Sequence, residues 1–99
     1  MSDINSKLKS DEMDLLFNSI LHLKTIEECY SFFEDIATVN EIKSLAQRIQ
    51  VAKFLNEKKT YTEIAEITGA STATISRVNK CLNYGSGGYS LILDRLKEK

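Results

Sequence analysis

The run Thr62–Arg77, TEIAEITGASTATISR, and the residues just beyond it bring together the hydroxyls of Thr72 and Ser76, the small Ala73, and the cations Arg77 and Lys80. Hydroxyls meet base edges or phosphates, Arg and Lys neutralise phosphate charge, and a small side chain lets a backbone enter a groove. The chemistry open to such a set is noncovalent recognition of duplex DNA. The alternative is a merely solvated helix face. Ser and Thr are poor interior helix formers, and a face selected for helix stability would carry more Glu, Lys and Gln, so DNA contact is the favoured reading. Covalent and metal chemistry find little support. His22 is the single histidine, near the end of an apolar helix, and Cys29 and Cys81 lie far apart with no partners at metal-ligand spacing. No enzyme activity, catalytic residue, cofactor or metal is expected, and the cysteines read as free, buried or half-buried thiols.

The elements that must hold this set follow from the spacing of the apolar residues around it. Counted from Tyr61, Ile64, Ile75 and Val78 fall at positions four, fifteen and eighteen, Ala65 at five and Gly69 at nine. Two helices that cross at a tight turn need a small residue where they touch and a residue tolerant of positive φ in the turn. Ile64, Ile75 and Val78 then lock the pair to a core. Five positions agreeing at once predict a helix-turn-helix over residues 60–83. On its second helix, Ile75, Val78 and Leu82 share the inward face, so Ala73, Ser76, Arg77 and Lys80 point outward, with Thr72 at the exposed start.

A chain with 13 Lys+Arg against 14 Asp+Glu is an unusual holder of a polyanion. The charges are segregated, however: residues 1–41 carry three cations against nine acids, and residues 42–82 carry seven against three. Charges farther away than about one Debye length, ~8–10 Å, are largely screened, so the local field governs contact. No acid lies between Gly69 and Tyr84.

The absence of Pro, four Gly and 42% hydrophobic residues in 99 point to one all-α domain. Thr25, Thr38 and Thr60 are each followed three residues later by Glu, the capping-box pattern of a helix start. Helices are expected around 10–23, 25–36, 39–57, 61–68, 71–83 and 89–97. The Gly-rich turn 84–88 is expected to end the fifth helix in a left-handed cap and let a C-terminal helix, 89–99, fold back. Residues 1–37 hold more apolar positions than one face can absorb: Leu15, Leu16, Ile20 and Leu23, then Ile26, Tyr30 and Phe33, with Phe17, Leu21 and Phe32 off those stripes. An internal core is one reading; a dimer interface is favoured, because small α domains gain much of their buried area by pairing. The opening Met1–Asn5 lacks a basic and apolar leader, and no apolar run approaches the roughly 20 residues of a membrane span, so a cytoplasmic protein without membrane contact is expected.

From Thr38 to about Tyr84 the chain resembles the Trp repressor family, and over its full length it is similar to the small YerC/YecD-type branch. The resemblance is carried by Thr38-Val39-Asn40-Glu41, Leu45-Ala46-Gln47-Arg48, Glu63-Ile64, Gly69-Ala70 and Ala73-Thr74-Ile75-Ser76-Arg77. It implies a six-helix, intertwined homodimer whose recognition helices enter successive major grooves of a palindromic operator, that is, a transcriptional regulator of repressor type. It further implies an effector pocket in which Arg48 and Arg77 match the arginines enclosing the indole of corepressor tryptophan, and Thr38 matches a pocket residue. Two positions depart: the family's glycine after the recognition-helix arginine is Val78, and a pocket serine is Cys81. Val78 therefore points away from tryptophan dependence and leaves the identity of any small-molecule effector open. The competing reading is a protein-interaction module with a degenerate helix-turn-helix that binds no DNA.

Overall fold

A computed structural model describes residues 6–97; Met1–Asn5, read above for a leader, and Glu98 and Lys99 of the expected terminal helix lie outside the described residues. Among the described residues there are six helices and no strand. None of these helices is long and apolar enough to cross a membrane. The chain forms two compact units that meet in sequence at Thr38 and Val39.

The first unit contains α1 (Asp11–Leu21) and α2 (Ile26–Ile36). Ser10 caps α1 by accepting the Met13 N–H at 3.1 Å, and Asp11, Glu12 and Asp14 place negative charge at its positive end. Thr25 caps α2 by accepting the Glu28 N–H, while the Glu28 carboxylate accepts the N–H of Lys24 at 2.8 Å. The expected capping box is thus displaced by one residue, its carboxylate reaching past the cap to the preceding amide. Phe32 and Phe33 meet edge to face with centroids 5.3 Å apart. Neither helix contains a buried residue, and Leu15 and Leu21 are 70% and 78% exposed.

The second unit contains α3 (Val39–Asn56), α4 (Tyr61–Thr68), α5 (Thr72–Tyr84) and α6 (Gly88–Lys97). Its core joins Val51 and Ala52 of α3, Ile64 of α4, Ala70 of the turn, Ile75 and Val78 of α5, and Leu93 of α6. Phe54, Leu55, Ala65, Leu82 and Tyr89 pack around them. The three apolar positions read from the helix-turn-helix spacing are therefore at the centre of the core.

Glycine at the end of α5 serves a different purpose from the one expected. Gly85 has φ −86° and ψ −155°, so it is extended rather than left-handed, and the positive φ falls at Gly87. A Cβ at Gly85 would lie 2.4 Å from the carbonyl oxygen of Cys81. Close approach of backbone, rather than helicity of the left hand, excludes a side chain there.

Candidate nucleic-acid interface

The site is built from α4, the turn at 69–71, and α5. Thr60 starts α4 with a complete capping box: its hydroxyl accepts the Glu63 N–H at 3.1 Å, and the Glu63 carboxylate accepts the Thr60 N–H at 2.8 Å. The same amide, then the Thr60 side chain, and also the Lys59 ammonium, hold the Glu63 carboxyl below its ordinary value. At the other end of α4, Gly69 adopts φ +75° and donates its N–H to the Ala65 carbonyl at 2.9 Å. This is the positive-φ position expected from the spacing. The Thr68 hydroxyl donates to the Ile64 carbonyl and accepts from the Ala70 N–H, while the Gln47 amide reaches from α3 to the Thr68 carbonyl at 3.2 Å. The turn is consequently held from both sides.

Ser71 then caps α5, accepting the Thr74 N–H at 3.1 Å and donating to the Thr74 hydroxyl. Its role as cap places the start of α5 at Thr72, one residue beyond the expected start. Ile75 and Val78 are buried and Leu82 half-buried, whereas Thr72, Ala73, Ser76, Arg77 and Lys80 are all exposed. Burial on one face thus turns the five predicted contact residues outward together. Among the described residues neither Arg77 nor Lys80 is in an ion pair. Sequence reasoning overlooked Asn79 and Asn83, whose amides interact along α5 with the Asn83 nitrogen 3.0 Å from the Asn79 carbonyl. Their spacing of four residues was the available signal.

The residues assigned to an effector pocket have unlike environments. Arg48 of α3 and Arg77 of α5 are exposed, as is Cys81, and Thr38 is an exposed residue of the first unit. Val78 is 1% exposed and belongs to the core. Both cysteines are free, but only Cys29 is half-buried as expected; Cys81, at the edge of the inward stripe of α5, is exposed. His22 is also exposed, its Nδ1 lying 2.7 Å from the Asn18 carbonyl oxygen. No group of three or more potential metal ligands occurs among the described residues.

An independently recognisable relationship accompanies this geometry. Residues 11–97 match the model of the Trp repressor protein family. The chain is 62% identical over 92 residues to the uncharacterized protein YerC of Bacillus subtilis, covering 93% of this chain and 88% of that protein. The crystal structure of a TrpR-like protein from Eubacterium eligens superposes with a TM-score of 0.90 at 57% identity, over 95% of this chain and 97% of the other. A crystal structure described as a candidate Trp repressor from Staphylococcus aureus gives the same TM-score at 50% identity, over 99% and 98% of the two chains. With a family match across nearly all of the described helices and a close relative of similar length, the chain belongs to the Trp repressor family.

Proposed function

We propose that this protein is a sequence-specific, double-stranded DNA-binding transcriptional regulator that acts as a homodimer. The carrying observation is the division of α5 into a buried face, with Ile75 and Val78, and an exposed face of Thr72, Ala73, Ser76, Arg77 and Lys80 that contains no acid. Thr72, Ala73 and Ser76 read base edges, while Arg77 and Lys80 act mainly through phosphates. Two copies supply two recognition helices to a palindromic operator. The family assignment and the likeness to the TrpR-like structures support this reading. Repression is its expected sense of regulation.

The proposed regulator does not depend on tryptophan. The burial of Val78 supports this, because a branched side chain packed in the core occupies space that a glycine would leave open. The reading is tested by titrating duplex DNA across a salt series. Binding that weakens linearly in log affinity against log salt is expected. A folded protein with no affinity for duplex DNA at low salt would instead be an interaction module that retains only the shape of a helix-turn-helix.

A further inference from the structure

The connection between α3 and α4 has a backbone outlier at a charged residue. Lys58 has φ +69°, the left-handed conformation in which a side chain is disfavoured. It occupies the left-handed position of a Schellman motif: the Lys59 N–H donates to the Phe54 carbonyl at 3.1 Å, and the Lys58 N–H donates to the Leu55 carbonyl at 3.0 Å. Glycine is the residue that this position ordinarily selects. The chain instead accepts the strain and places an exposed ammonium group there.

Two further cations surround the same turn. The Lys53 and Lys59 ammonium groups lie 5.8 and 5.7 Å from the centroid of the Phe54 ring. Phe54 itself packs against the core that holds Ile64, Ile75 and Val78, so the two lysines belong to the same compact unit as the helix-turn-helix. Among the described residues none of the three lysines is in an ion pair. The nearby acids offset only part of this charge: Glu57 makes no such pair, and the Glu63 carboxylate, held in its charged form partly by the Lys59 ammonium, balances one of the three. Three ammonium groups against two carboxylates leave the turn locally positive.

We infer that the α3–α4 turn is a second contact with the DNA backbone, in which Lys53, Lys58 and Lys59 meet phosphates beside the groove entered by α5. The inference rests on the DNA-binding function proposed above. The first helix of a helix-turn-helix crosses the backbone, and this turn leads directly into that helix. Phosphate contacts of this kind carry no sequence information; they fix register and supply salt-dependent affinity. Lysine at the left-handed position thus trades stability for a cation at the place where the duplex backbone passes.

The test uses the full chain and a random-sequence duplex of roughly 30 bp, long enough for two half-sites about one turn apart. Wild-type affinity is measured first, from about 50 to 200 mM salt. Lys58→Gly should raise Tm by roughly 2–6 °C through relief of the left-handed strain. It should also lower affinity by roughly five- to tenfold at about 0.1 M salt and reduce the salt slope by about one. Lys58→Arg should leave both readouts near wild type. A Lys58→Gly protein with raised Tm and unchanged DNA binding would overturn the inference, since the turn would then be a cap alone. If that variant melts below wild type, Lys53→Gln, which leaves the cap intact, carries the same expectation for the slope, and an unchanged slope there is equally fatal. Absence of wild-type DNA binding would remove the proposed function and this inference together, a result distinct from a binding wild type with an indifferent Lys58.

Discussion

Lys80 and Ala73 sit within two turns of one another on the exposed face of α5, yet they are expected to fail in different ways when replaced. A lysine that meets phosphate contributes equally on every sequence, so Lys80→Ala should weaken binding uniformly and reduce the salt slope by about one. Ala73 lies where a base edge would be read, and Ala73→Leu should change which duplexes are preferred, at about 1–3 kcal/mol for a lost contact. Binding titrations on a small panel of duplexes separate the two, and indifference of both variants would remove the assignment of this face. Val78, on the opposite face, is buried in the core. Tryptophan at millimolar concentration should produce no binding heat and no change in DNA affinity, because forcing a ring against a filled core costs about 1–3 kcal/mol or more. Val78→Gly should destabilise the fold by roughly 3–4 kcal/mol, from lost burial and helix propensity, and should open space beside Arg77. Tight tryptophan binding by the wild type, seen in the same calorimeter, would contradict this account.

At the scale of the element, the cap of α4 links stability to pH. Because the folded-state value of Glu63 is depressed, its contribution is complete above the unfolded carboxyl value and is lost as pH falls through the lower, folded one. The difference in Tm between wild type and Glu63→Gln should therefore be largest near neutrality and shrink on acidification below the ordinary carboxylate range. A difference that stays constant down to strong acid would mean that the charge of Glu63 has no part in the cap. Thr60→Ala, which removes the hydroxyl that accepts the Glu63 N–H, should cost about 1 kcal/mol at neutral pH. These caps were legible in the sequence because each is made within four residues. Thr60 and Glu63 carry their own partners, and Gly69 carries its own conformational freedom. The role of Gly85 was not legible, although it too is made within four residues, since it follows from the extended φ and ψ adopted there and not from the residue type.

At the scale of the whole molecule, the N-terminal helices pose the largest energetic question. α1 and α2 bury none of their residues, although Leu15, Leu21, Ile26, Tyr30 and Ile36 are large and exposed. Apolar surface of this extent is stabilised by covering it, and the proposed cover is a second copy of the chain. Sedimentation at micromolar concentration should give twice the 11.2 kDa chain mass. Leu21→Glu should shift the material toward monomer and weaken DNA binding, because two recognition helices would no longer be held in fixed register. A stable, folded monomer in the wild type would remove the two-fold operator along with the dimer. The acids concentrated in residues 1–41 lie outside the segment that carries the proposed DNA face.

By itself the sequence determined what is local or periodic: the helix starts at Thr25 and Thr60, the left-handed Gly69, the inward set Ile64, Ile75 and Val78, and with them the outward set on α5. Hydrogen bonds between neighbours and the 3.6-residue repeat need no information from distant segments. The tertiary structure decided what depends on surfaces meeting from far along the chain. It brought Leu93 of α6 to a core formed by α3, α4 and α5, and set the Gln47 amide of α3 against the Thr68 carbonyl at the end of α4. Burial of this kind arises only once distant elements have packed, because the space left for each atom is defined by its neighbours in three dimensions.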